Sequence, residues 1–433
     1  MVAVVVVLDL PPQLLYLALY LFGIVHSVRY YGPAGYDLAV KSGQDARRRL
    51  ATELAAAFLI GAIAGVAQNA ARRRAPREMI DWDRVYQIGS MLSGGGLALH
   101  LTRTQREECE AHFRDLIERV APRMVDYLGS GVGDTFAFST RAEALDRGNW
   151  IEANIGSFGA VFEPVEEVLR KRTGDRLSSP LNQQTSSVVL GILLGFLSRR
   201  VLGQYDPALL GKEAVTSGRL YFVVPNLEHA RRQMGLPKDQ FETWVVFHEL
   251  THSWQFEAHP WLREFMNERV RELLVSASDK LLQFDAGELL RLAMSGELDL
   301  RQPHKVLTGL MTAQQRQIFD QLQALMSLLE GFSNHVMDAL GPDMLPDYEL
   351  IARQFEARQE RKSQAERLFV KLTGLEMKLE QYRIGERFVE HVVRERGIGF
   401  MNRAWEGPQN LPSLREIYDP EEWVTRLSGV PSP

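Results

Sequence analysis

The sequence predicts a mainly α chain (α+β) with a small sheet placed just before one long helix. Three observations predict it. Long stretches carry apolar residues at helical spacing, as in Ile318, Leu322, Leu325, Leu329, Phe332 and Val336. Only one run, Arg219 to Val224, reads as a strand between turn residues. That run is followed by a helix start at Pro237-Lys238-Asp239 with nothing to break it before Phe256.

Composition narrows the class. The chain has 433 residues, 45% hydrophobic and 24% charged, which suits a folded globular protein. A net charge of −5 gives no reason to expect a nucleic-acid partner. Cys109 is the one cysteine, so internal disulfides and cysteine-rich zinc knuckles are excluded.

Three segments are expected. Residues 1–78 form an apolar, arginine-rich extension. Leu54 to Ala67 is apolar and short for a membrane span, and Arg47 to Arg49 and Arg72 to Arg74 are basic. No basic residue precedes the first apolar run, so no secretory signal is read there. The expected location is cytoplasmic, with membrane association open through this segment. Residues 79–210 are expected to form a helical N-terminal domain, with helices over Cys109 to Leu128, Asn154 to Lys171 and Val188 to Leu202. Arg199 and Arg200 would close the last of these.

Residues 211–433 carry the chemistry. Asp239 and Glu242 have the spacing of a capping box at the start of the motif helix. Further helices are expected over Leu262 to Leu298, from Thr312 to Gly341-Pro342, and over Ala365 to Glu395. A tail with Trp405 and Trp423 would pack over them.

His248-Glu249-Leu250-Thr251-His252 has the pattern H-E-x-x-H. On a helix, positions i and i+4 share a face, so two imidazoles can hold one zinc ion from the same side. Glu249 is turned about 100° away and can reach a water held by the metal without ligating it, as a general base. The bland reading, two satisfied core histidines, would need partners for both buried rings.

A third ligand must come from elsewhere. His259 follows at the wrong spacing for a metzincin, and Gln255 stands where that pattern needs glycine. Glu330, on a second helix beside a buried stripe, is the better candidate. Asn334, His335 and Asp338 are placed to support a ligating histidine from behind. A di-iron bundle would need a second Glu-x-x-His motif, and none is present. Tyr382 and His391 are candidates to stabilise an oxyanion. Trp254, Phe256 and Trp261 read as core or site wall.

These stretches resemble the zincin-like metallopeptidase type 2 family. Its members are variously labelled hydrolases, zinc-dependent metalloproteases or deazaflavin-coenzyme biosynthesis-associated proteins. The resemblance is carried by IDWDRVYQIG (80–89), DRGNWIEANIGSF (146–158), GFLSRRVLGQYDPALL (195–210), RLYFVVPN (219–226) and FETWVVFHELTHSWQFEAHPWLRE (241–264). It continues through LLEGFSNHVMDALG (328–341), GLEMKLEQYRIGERFV (374–389) and LPSLREIYDP (411–420).

It implies a zincin-like core with one zinc per chain at His248, His252 and Glu330, and Glu249 as catalytic acid/base. A zincin also commonly lays its substrate along the strand before the motif helix, which makes Arg219 to Val224 the candidate edge strand. The expected activity is that of a zinc-dependent metallopeptidase acting on a peptide or protein. Two alternatives stand beside it: a zinc-stabilised scaffold with little turnover, and an amide or ester hydrolase acting on a small molecule.

Overall fold

A computed structural model describes residues 78–94, 100–129, 141–173, 180–207, 218–281, 311–360 and 375–429. The expectations for Leu54 to Ala67 and the arginine clusters lie outside these residues. Among the described residues no helix is long and apolar enough to cross a membrane.

The order is α1 (Trp82–Leu92), α2 (Arg103–Leu128), β1 (Arg141–Leu145), α3 (Arg147–Thr173), α4 (Pro180–Ser198), β2 (Gly203–Asp206) and β3 (Arg219–Val223). Then follow α5 (Val224–Met234), the motif helix α6 (Lys238–Glu257), α7 (Pro260–Leu281), α8 (Ala313–Met344), α9 (Tyr348–Glu360) and α10 (Leu375–Arg396). The tail holds short α-helical and 3-10 turns and ends in a helix over Pro420–Ser428. The mainly α expectation holds.

Two strands escaped the sequence reading. The sheet order is β1-β3-β2, with β1 parallel to β3 and β2 antiparallel to it. β1 reads RAEAL and β2 reads GQYD, compositions poor in the β-branched residues that announce strands. They are held by burial between helices. Tyr205 and Gly203 pair with Leu220 and Phe222 and so share a face with them. On that face Phe222 stacks on Phe113 of α2 at 4.0 Å, and the Tyr205 hydroxyl donates to Glu257 of α6 at 2.6 Å. On the other face, Trp150 of α3 donates to Gln204 at 2.6 Å.

The helix ends differ from expectation at the start of α6. Its N-cap is Pro237, with no side-chain cap. Asp239 instead accepts from Arg119 of α2 at 2.7 Å, and Glu242 meets His112 of α2 at 2.7 Å. Both residues of the expected capping box therefore join two helices. At α8 the box is real: Thr312 and Gln315 cap each other reciprocally. That helix runs past Gly341 and carries Pro342 within its last turn. Arg200 behaves as expected, donating to the Phe196 carbonyl at 2.8 Å near the end of α4.

All six residues of the α8 stripe are buried. Trp405 in the tail lies edge-on to Phe332 of α8 at 5.1 Å and to Trp254 of α6 at 6.2 Å, so the tail does pack over the body. On another side α8 meets α10 at a crossing where both helices have glycine. A Cβ at Gly331 would lie 2.2 Å from the Gly385 carbonyl carbon, and one at Gly385 1.9 Å from the Ser327 oxygen. Backbone touches backbone there, so no side chain can yield. Replacing Gly331 by Ala forces the helices apart, and the cost expected for overpacking is about 1–3 kcal/mol. Thermal unfolding should show a midpoint lowered by several degrees. Gly399→Ala, where a Cβ meets nothing within 4 Å, should leave it almost unmoved.

Candidate metal centre

α6 is buried on every side: each residue from Phe241 to Phe256 is inaccessible. A helix so placed has no water to satisfy its polar side chains, and an unmatched group costs several kcal/mol. Four of these side chains find partners within the fold. Thr251 donates to the Phe247 carbonyl at 2.9 Å. Glu249 accepts the backbone N–H of Tyr205 on β2 at 3.0 Å. The Nδ1 of His252 lies 2.8 Å from Gln255 Oε1, and Gln255 Nε2 donates to the Leu329 carbonyl at 2.9 Å.

The remaining polar atoms converge. His248 and His252 face each other with rings nearly perpendicular and centroids 4.8 Å apart. Their Nε2 atoms are separated by 3.3 Å. Glu330 Oε2, from α8, lies 3.5 Å from one and 3.7 Å from the other. A tetrahedral zinc with bonds of about 2.0–2.2 Å sets its ligand atoms about 3.3–3.6 Å apart. The three observed separations therefore suit three corners of one such site. The donor set, two imidazoles and a carboxylate, also suits zinc. All three residues are at most 5% exposed.

The charges agree with a cation there. Burial alone would push the Glu330 carboxyl up, but hydrogen bonding and attraction from His248 and His252 hold it well below the usual carboxylate range. Burial works against a charged His252, yet Glu330 raises it above its ordinary value. A carboxylate with two imidazoles at its tip is a site built for positive charge.

Glu249 stays out of the triangle and is held by β2. The strand passes so close that a Cβ on Gly203 would meet Glu249 Cγ at 2.7 Å, which explains a glycine there. Tyr205 grips α6 twice, through its N–H on Glu249 and its hydroxyl on Glu257.

Several expected roles are filled by other residues. Asn334 donates to Glu386 at 3.3 Å, His335 pairs with Tyr127 at 2.7 Å, and Asp338 takes the Tyr348 hydroxyl. The partner behind ligating His252 is Gln255, from the same helix and three residues on, a spacing at which helical side chains meet. His391 lies 2.8 Å from Glu421 and 3.2 Å from Arg394, part of a surface cluster. Tyr382 lies on α10, and its side chain is outside the described residues.

The strand expectation also changes. β3 is central, with a neighbour on each side, so it offers no edge for a peptide. One N–H on each neighbour already meets a carboxylate: Ala144 N–H of β1 donates to Glu110 at 3.3 Å, and Tyr205 N–H of β2 to Glu249. Sequence spacing alone does not reveal this, because the strands that flank β3 were the two not recognised.

Comparison with known proteins adds to this geometry. Residues 80–424 match a family described as zincin-like metallopeptidase. A crystal structure from Chloroflexus aurantiacus, provisionally described as a hydrolase with a novel fold, is similar at 35% identity and a TM-score of 0.60. The match covers 81% of this chain and 99% of that one. No curated protein matches.

Two outcomes follow for the centre. His248→Ala or Glu330→Ala should weaken zinc binding by more than the about 10–100-fold typical of losing a supporting partner, measured by chelator competition, with helicity retained. Separately, burial pushes the His259 imidazole down to about 4, whereas an unfolded histidine titrates near 6.5. The unfolded chain thus takes this proton first, and metal-free protein should lose stability as pH falls from about 6.5 to 4. Urea unfolding across that range should show a shallower fall in His259→Gln.

Proposed function

The chain belongs to the zincin-like metallopeptidase family, and on that premise we propose that it is a zinc-dependent hydrolase acting on a peptide carbonyl. In this reading His248, His252 and Glu330 hold one zinc ion and Glu249 is the general base. The observation that carries it is the buried triangle of two Nε2 atoms and one carboxylate oxygen with sides of 3.3, 3.5 and 3.7 Å.

Zinc, when bound, supplies a Lewis acid that polarises a carbonyl and makes water acidic near neutral pH. The chain supplies the rest. Glu249 takes the proton of the attacking water and later passes it to the leaving nitrogen. The Tyr205 N–H anchors that carboxylate through Oε2, so its orientation is fixed before substrate arrives. Burial of the ligand set excludes bulk water and strengthens each electrostatic contact. A purely structural zinc site has no use for a carboxylate oriented beside it, and this favours an enzyme over a scaffold.

A second reading, hydrolysis of an amide or ester in a small molecule, is favoured by the strand N–H groups of Ala144 and Tyr205 already being taken by carboxylates, since an extended peptide pairs through such groups. The two readings share every residue named above and differ only in substrate.

Glu249→Gln tests both. The variant should keep its zinc and lose at least about 100-fold in turnover, assayed on a mixed peptide library and on a panel of small amides and esters. Cleavage confined to the small substrates would decide for the second reading. Equal turnover by both proteins would remove Glu249 from the mechanism.

A further inference from the structure

Gln255 is completely buried, and both ends of its amide are engaged. One end meets a group whose role is not in question. The Leu329 oxygen is a backbone carbonyl and can only accept. The amide end at 2.9 Å from it must therefore be the NH2 group. That places Oε1 against His252 Nδ1 at 2.8 Å. An amide oxygen also only accepts, so Nδ1 must carry a proton. In the neutral ring Nε2 is then a bare lone pair, directed at His248 Nε2 (3.3 Å) and Glu330 Oε2 (3.7 Å).

The opposite tautomer is penalised at either step. With the proton on Nε2, Nδ1 becomes an acceptor facing another acceptor at hydrogen-bond distance. Rotating the amide to suit it would set Oε1 against the Leu329 oxygen instead. Either choice leaves buried groups unmatched, at a cost of about 1–3 kcal/mol each. The Ser333 hydroxyl, 3.4 and 3.5 Å from the two ring nitrogens, can donate or accept and so favours neither form.

We propose that Gln255 is a positioning residue that locks His252 as its Nδ1–H tautomer and so keeps the Nε2 lone pair aimed at the metal. The lock is set by the backbone of α8 at Leu329, next to Glu330. One amide thus fixes the proton of one ligand by reference to the helix that supplies another. The proposal rests on the zinc reading of the site, and it adds a role for a residue that neither binds metal nor touches substrate.

The test compares full-length wild type with Gln255→Leu and Gln255→Glu, each stripped of metal and titrated with zinc against a chromophoric chelator. Leu offers His252 no acceptor, and its zinc affinity should fall about 10–100-fold. Glu still presents an oxygen to Nδ1–H, so its affinity should stay near wild type. An ionised Glu cannot donate to the Leu329 carbonyl, and a protonated one is held neutral against its ordinary titration, so its thermal midpoint should fall at a pH well above the carboxylate range. A purely structural role would not separate affinity from stability in this way.

Nitrogen-detected histidine NMR of metal-free wild type, taken at a pH high enough for His252 to be neutral and with its signals identified by their loss in His252→Gln, should show the proton on Nδ1. This readout decides even if Gln255→Leu does not fold. Unaltered zinc affinity in Gln255→Leu, or a neutral His252 ring in wild type with its proton on Nε2 and none on Nδ1, would overturn the proposal alone. Failure of wild type to bind zinc would instead overturn the metal reading on which it rests.

Discussion

A helix buried on all sides must satisfy every polar side chain from within the protein, and this constraint governs the structure around α6. The chain places His248, Glu249, Thr251, His252 and Gln255 in that helix. Each needs a fixed counterpart, because unmatched polarity there is unaffordable on the scale of net protein stability. β2 supplies one through the Tyr205 N–H, and α8 supplies two through the Leu329 carbonyl and Glu330. The sheet, the second helix and the motif are therefore one polar construction surrounded by apolar packing.

The position of α8 is in turn set from several sides. Its buried stripe and the stack of Trp254 on Phe332 at 5.6 Å bind it to α6. The glycine crossing with α10 at Gly331 lies one residue from Glu330. A shift at that crossing is transmitted directly to the carboxylate, since packed interiors do not absorb displacement freely. The tail adds Trp405 against the same aromatic group.

Much of this was legible in the sequence. The motif pair follows from helical spacing and the α8 stripe from its period, whereas Glu330 came from its place beside that stripe and from the resemblance to zincins that take a third ligand from a second helix. What was missed has physical causes. β1 and β2 have weak strand composition and exist because helices cover both faces of the sheet, a tertiary effect with no local signal. Asp239 and Glu242 match a capping box by spacing, but α2 offers them Arg119 and His112, and those contacts decide. Gln255 was noted only as a departure from another pattern. Its place three residues after His252 is a signal that spacing can yield, whereas its contact with Leu329 appears only in three dimensions.

The central claim is that α6 and α8 jointly hold one zinc ion. Crystals of the zinc-loaded protein, measured with X-rays tuned to the zinc absorption edge, test it most directly. The account predicts one strong anomalous peak about 2.0–2.2 Å from His248 Nε2, His252 Nε2 and a Glu330 oxygen. A peak elsewhere, for instance at the partly exposed Asp338, Glu386 and Glu390 cluster, with none at the buried triangle, would contradict it.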